Sequence, residues 1–242
     1  MLDALSLKLV VYSPNDGMGT FVTEDQLDLF HFPARIIIAG FSGSGKTNLM
    51  CKIVNKYIRK FDRVIVCGVS KHPLQNDPTI TPKLDVHNDI IDPFDEDENT
   101  SCNMQRLFIL DDTFIEAVQS KIVVNAFTKG RHSNLSTILI TQNVFFSGKY
   151  ARNISLNATH YLLLRQRDMN QIECLGRQIF GKCRSKEFLE VYQTALKQRP
   201  FGYLLVDLSV KSSVVNQFRT NIVGEPPHEI VIRWKEKENG SY

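Results

Sequence analysis

No apolar run in this 242-residue sequence approaches the roughly 18 residues that a membrane-spanning helix needs, so no membrane span is expected. Residues Met1 to Val11 include Asp3 and lack a basic stretch followed by a long apolar one, which argues against a secretion signal. Cysteine is sparse. The five residues Cys51, Cys67, Cys102, Cys174 and Cys183 form no C-x-x-C pair and are odd in number, which argues against a zinc site and a disulfide framework. They are read as reduced thiols in a cytosol-like compartment. Internal repeats and low-complexity tracts are absent, and 43% apolar residues at this length suit one large domain with a buried core.

Net charge is also low, +3 from 29 basic and 26 acidic residues, but it is unevenly spread. Acids dominate from Lys71 to Asp112, with Asp77, Asp85, Asp89, Asp92, Asp95, Glu96, Asp97 and Glu98 facing few bases. From Thr113 to Gly224 the bias reverses, through residues such as Lys121, Lys129, Arg131, Arg165, Arg167, Lys182, Arg184 and Lys186. A basic half suits either a nucleic-acid surface or a set of solvated helix faces.

Short apolar runs alternate with helical patterns. Strands are expected at Arg35–Ala39, Arg63–Cys67, Leu107–Leu110, Thr137–Ile140, Tyr161–Leu164, Gly202–Val206 and Glu229–Ile232, with a further one at Leu5–Tyr12 outside the nucleotide-binding core. Helices are expected after Gly45, from about Thr113 to Thr128, and over Asp168–Phe180 and Ser185–Gln198. This alternation implies an α/β domain with a mostly parallel sheet and helices on both faces. Around it lie an N-terminal strand extension over about residues 1–33, a polar, acidic surface insertion over about 71–103, and a C-terminal tail over about 209–242.

The most specific signal follows the first central strand. Gly40, Phe41, Ser42, Gly43, Ser44, Gly45, Lys46 and Thr47 form the glycine-rich phosphate loop of P-loop NTPases, and Asn48 continues into an apolar-spaced helix. Glycines let successive N–H groups turn inward around a β-phosphate, at a helix N-terminus that favours negative charge. Lys46 is expected to reach the β- and γ-phosphates of ATP, and Thr47 to ligate Mg²⁺.

Leu107–Leu110 ends in Asp111 and Asp112, the form of a Walker B element on a strand bordering the phosphate loop. Asp111 is then the second Mg²⁺ ligand, and Asp112 polarises the attacking water. Glu116, one helical turn on, is an alternative base, and Asp112 could instead simply cap the next helix. Gln142, just past the strand Thr137–Ile140, sits where ligands bind in open α/β sheets and can contact the attacking water or the γ-phosphate. His132 lacks a metal-ligand companion and is read as a loop or core histidine.

The set Gly40 to Thr47, Leu110-Asp111-Asp112, Gly130-Arg131-His132 and Leu139-Ile140-Thr141-Gln142 resembles the DNA-packaging ATPases of poxviruses and related large DNA viruses, virophages and Polinton-type elements, within the FtsK–HerA superfamily. Tyr161 to Asp168 also resembles the strand and Arg-Asp segment of these proteins. The resemblance implies an ASCE, RecA-like fold and a homo-oligomeric ring of six subunits driving double-stranded DNA into a capsid at its portal vertex. It implies a virion or a cytoplasmic virus factory as the location. An arginine from one subunit completes the neighbour's site in such rings, and Arg131, ahead of Arg167, matches that role, no arginine near the loop in sequence being available to its own site. A HerA-like helicase or translocase, a phage-assembly ATPase and a small-molecule kinase are the other readings.

Overall fold

The structure, a computed structural model, describes residues 10–12, 30–94, 103–212, 217–223 and 230–233. Its strands are β1 (Val10–Tyr12), β2 (Arg35–Ala39), β3 (Arg63–Cys67), β4 (Leu84–His87), β5 (Arg106–Leu110), β6 (Leu135–Thr141), β7 (His160–Leu163), β8 (Leu204–Asp207), β9 (Phe218–Thr220) and β10 (Ile230–Arg233). Its helices are α1 (Lys46–Tyr57), α2 (Phe114–Ala117), α3 (Lys121–Lys129), α4 (Ala151–Asn157), α5 (Met169–Phe180) and α6 (Ser185–Lys197).

One sheet runs in the order β1-β10-β9-β8-β7-β2-β6-β5-β3-β4. From β4 to β7 every neighbour is parallel, and from β7 to β1 every neighbour is antiparallel. The central strands read as continuous Ile, Leu and Val runs because both of their faces are buried. Ile37, Ile65, Phe108, Leu139 and Tyr161 face Val123 and Phe127 of α3, Ile172 of α5 and Phe188 and Tyr192 of α6. Ile36, Ile38, Val64, Leu107, Ile138 and Leu162 face Leu49, Met50, Ile53 and Val54 of α1. Each such side chain contributes about 1.5–3 kcal/mol by leaving water. A one-residue slip of β2 would exchange these two sets, so burial fixes the register.

Four expectations change. The strand carrying Asp111 does not border β2, because β6 lies between them. The expected helix from Thr113 to Thr128 is broken into α2 and α3: Ser120 is extended (φ −85°, ψ 128°) and its hydroxyl accepts from Val123 N at 3.4 Å. The break leaves Val118 O to accept from Tyr150 N at 3.0 Å. The insertion is also less superficial than its composition implies. Leu74 and Ile80 belong to the α1-side core, and β4 extends the sheet beside β3; Arg106 anchors the segment by donating to Pro93 O at 2.7 Å and Ser133 O at 3.1 Å. Lastly, the C-terminal tail supplies, besides the expected β10, the further strand β9, with Phe218 and Ile232 in the core. Of Leu5–Tyr12 only Val10–Tyr12 lies within the described residues, paired to β10; Asp95, Glu96, Asp97, Glu98 and Cys102 lie outside them.

A buried polar group joins the parallel and antiparallel halves. Asp207 on β8 lies 3.3 Å from His160 Nε2 on β7 and 3.4 Å from an Arg219 nitrogen on β9. Burial pushes the His160 imidazole down to about 4, against the pull of Asp207. Among the described residues no helix is long and apolar enough to cross a membrane.

Candidate nucleotide site

The carboxyl ends of β2, β5, β6 and β7 open onto one edge of the sheet, where a ligand sits in open α/β folds. The loop leaving β2 is tied to both neighbouring strands: Gly40 N donates to Thr141 O and Phe41 N to Arg165 O, each at 3.1 Å. Gly45, at φ 95° and ψ 18°, turns the chain into α1, a conformation that a side chain would strain. The Lys46 ammonium donates to the carbonyls of Gly40 at 2.8 Å and Phe41 at 3.2 Å. It is thus folded over its own loop. Burial lowers its pKa, and the charges of Asp111 and Asp112 push it back up.

Thr47 Oγ1 donates to Asp111 Oδ2 at 3.0 Å, so α1 and β5 meet at one hydroxyl–carboxylate pair. Both groups are hard oxygen donors of the kind that bind Mg²⁺ together with substrate phosphates, and one carboxylate suffices for such a site. The donor set therefore fits the ion. No cluster of three or more His, Cys, Asp or Glu side chains suited to another metal exists among the described residues.

Asp112 is exposed and holds φ 60°, the left-handed region. Backbone outliers of this kind cost about 1–3 kcal/mol and cluster at functional sites. It does not cap α2, since Thr113 occupies that position and makes no side-chain cap bond. Gly68 is required behind this turn, because a Cβ there would lie 2.0 Å from Asp111 O. Gln142 is exposed immediately after Thr141, whose hydroxyl accepts from Asn143 N at 3.2 Å and so shapes the turn carrying the amide. Glu116 is exposed on α2.

The two arginines separate. Arg167 lies beside the phosphate loop of its own chain, its guanidinium 5.6 Å from the Phe41 ring centroid. No arginine is near the loop in sequence, but one is near it in space: β7 pairs directly with β2, so the segment after β7 meets the loop through the Arg165 carbonyl and the Arg167 guanidinium. Arg131 sits before the amino end of β6, where its Nε donates to His132 Nε2 at 3.2 Å. His132 is exposed on that loop.

Sequence reasoning missed His72. It is 3% exposed, and its Nε2 lies 3.7 Å from Asp111 Oδ2. Nδ1 accepts from Leu74 N at 3.3 Å, which leaves the proton of a neutral ring on Nε2, facing the carboxylate. His72 N donates to Gln75 Oε1 at 2.9 Å, so His72-Pro73-Leu74-Gln75 is a capping box whose three-residue spacing was the available signal.

A strand inserted between the phosphate-loop strand and the Walker B strand, with Lys46, Thr47 and Asp111 gathered at their carboxyl ends, defines a P-loop NTPase of the ASCE, RecA-like class. The sequence profile of the family described as Poxvirus A32 protein matches residues 22–215, and the chain belongs to that family. No curated protein sequence matches it. Among solved structures it is similar to the genome packaging NTPase B204 of Sulfolobus turreted icosahedral virus 2 in complex with ATP-gammaS (14% identity, 78% of this chain and 96% of that one, TM-score 0.50). It is also similar to B204, the DNA-packaging ATPase from Sulfolobus turreted icosahedral virus (14%, 79% and 98%, 0.49). The cytoplasmic domain of the type VII secretion ATPase EccC of Thermomonospora curvata matches at 9% identity over 89% of this chain and 27% of that one, with TM-score 0.49.

Proposed function

We propose that this chain is an ATP-hydrolysing motor that packages double-stranded DNA into a viral capsid. The observation that carries the chemistry is the 3.0 Å Thr47–Asp111 pair beside Lys46 at the end of the sheet; family membership directs that chemistry to viral DNA. The phosphate loop holds the β-phosphate, and Lys46 exchanges the Gly40 and Phe41 carbonyls for β- and γ-phosphate oxygens. Thr47 and Asp111 would hold Mg²⁺, and the ion would supply positive charge against the phosphates. Asp112 accepts a proton from a water oriented by Gln142. The water oxygen bonds to the γ-phosphorus, the bond to the β–γ bridging oxygen breaks, and ADP and phosphate leave.

Arg167 offers positive charge from the same chain. Arg131, before the amino end of β6, is assigned as the finger that completes another subunit's site in a ring of six, where such a group is worth several powers of ten in rate; its alternative partner is DNA phosphate. The exposed Lys182, between α5 and α6, and Lys186, at the start of α6, are assigned to DNA phosphates. The ring engages the capsid at its portal vertex and works in the cytoplasmic virus factory or the virion. ATP hydrolysis measured with and without double-stranded DNA tests this reading. Stimulation by DNA is expected; hydrolysis indifferent to DNA, or phosphate transfer to a small acceptor, would overturn it.

A further inference from the structure

The loop leaving β3 crosses the end of β5. Gly68 packs against Asp111 O with no room for a Cβ, and Asp111 N donates to Cys67 O at 3.1 Å. The same loop then delivers His72 to the carboxylate of that aspartate, with Nε2 3.7 Å from Oδ2. The ring is buried, and Nε2 makes no hydrogen bond to any described residue. Buried polar groups are rarely left unpaired, so one that faces a candidate metal ligand calls for an explanation.

The ring is held in place by its own turn. Nδ1 accepts from Leu74 N at 3.3 Å, Gln75 N donates to His72 O at 3.0 Å, and Leu74 is seated in the α1-side core. Because Nδ1 is an acceptor it carries no proton, and the single N–H of the ring is on Nε2. Asp111 Oδ2 already accepts from Thr47 Oγ1 of α1 at 3.0 Å. One carboxylate oxygen is thus approached by donors from two elements, the helix after the phosphate loop and the insertion after β3. The 3.7 Å gap exceeds the roughly 2.7–3.2 Å of an N–H···O bond, and such bonds at reaction sites are often long without ligand and tighten with it.

We propose that His72 is a positioning residue for Mg²⁺: its Nε2–H holds Asp111 Oδ2 against rotation, so that the carboxylate keeps one direction toward the ion. The proposal rests on the reading of Thr47 and Asp111 as the pair that holds the metal. Carboxylates that bind a metal are themselves fixed by hydrogen bonds, and losing such a partner typically lowers metal affinity about 10–100-fold. An uncharged donor suits this task, since an ammonium or guanidinium at the same place would offset the charge that draws the cation. The insertion after β3 thereby takes part in the site through one residue.

Two substitutions separate the roles of the two ring nitrogens. Asn places an amide oxygen near the position of Nδ1, keeping the bond to Leu74 N without reaching Asp111. Gln places an amide nitrogen near the position of Nε2, keeping the donor to Asp111 without the cap. Affinity for the non-hydrolysable analogue AMPPCP is measured by calorimetry in EDTA and in saturating Mg²⁺, with Tm recorded for each variant. The unsubstituted protein is expected to bind more tightly with Mg²⁺. His72→Asn should lose about tenfold or more of that gain and keep its affinity in EDTA, whereas His72→Gln should retain most of the gain even where it lowers Tm. A full Mg²⁺ gain in His72→Asn, a His72→Gln variant no better than His72→Asn, or equal losses in EDTA and in Mg²⁺ overturns the positioning role and leaves Thr47 and Asp111 as assigned. Absence of any Mg²⁺ gain in the unsubstituted protein overturns the metal pair as well.

Discussion

Lys46 and Asp111 stand at strand ends that open to ligand, where their side chains meet a hydroxyl and backbone carbonyls but fill no core space. Lys46→Ala and Asp111→Asn should therefore fold normally and lose hydrolysis by about a hundredfold or more, the scale on which removing one group aimed at developing charge acts. Circular dichroism and phosphate release check this, and ordinary turnover in either variant would contradict the assignment. Asp112 allows a sharper separation of stability from function, because its carboxylate and its φ of 60° make independent demands. Asp112→Gly removes backbone strain and should hold or raise Tm by about 2–4 °C, corresponding to roughly 1 kcal/mol in a chain of this size. Asp112→Ala keeps the strain and should lower Tm. Both should lose hydrolysis; an Asp112→Gly variant that hydrolyses normally would pass the base role to Glu116.

The buried group linking β7, β8 and β9 makes a pH-dependent clamp between the two halves of the sheet. His160 is neutral when folded, with its pKa depressed from 6.5 to about 4 by burial; Asp207 opposes the shift, while Arg219, His31 and Arg35 add to it. A depressed folded-state value means that the unfolded chain takes up a proton first as pH falls. The stability contributed is present above about pH 6.5 and is lost as pH falls toward 4, on the order of 3 kcal/mol in all. Urea midpoints at pH 7.5 and 4.5 should converge for His160→Gln relative to the unsubstituted protein, and an equal pH response in the two would remove the clamp. The same element explains what could be read in advance. β2 and β3 were legible to the residue because strands buried on both faces are continuous Ile and Val runs. β4 was hidden because an edge strand with the sequence Leu-Asp-Val-His is only half buried. β9 was hidden because its Arg219 is buried against Asp207, a partner the local sequence cannot supply. At the site, the phosphate loop and Asp111 were legible as contiguous motifs. Arg167 reaches the loop through strand pairing and His72 reaches Asp111 through a capped turn, so their places emerge only with the fold.

Across the whole molecule, Arg131 precedes the amino end of β6 while the phosphate loop follows the carboxyl end of its parallel neighbour β2, so one subunit holds them at opposite ends of the same strands. If the arginine completes a neighbour's site, specific activity should rise with protein concentration, and Arg131→Ala mixed with Lys46→Ala should recover activity that neither has alone, since the second supplies the arginine and the first the intact loop. A strictly monomeric preparation with full turnover would rule this out. The same assembly must move along any DNA sequence, which requires contacts to phosphate and not to base edges. Each phosphate neutralised releases condensed counterions, so the logarithm of affinity should fall linearly with the logarithm of salt concentration, by about 0.9 per contact, with little dependence on sequence. Lys182, in the turn between α5 and α6, and Lys186, in the first turn of α6, are exposed and lie away from Lys46 and Asp111 in the chain. Substituting either by Ala should reduce that slope by about 1 and weaken DNA binding uniformly across sequences, while hydrolysis without DNA stays intact. Filter binding over a salt series, run at a concentration where the ring is assembled, decides the matter: affinity insensitive to salt would detach the basic half from DNA and return a protein-directed ATPase to first place.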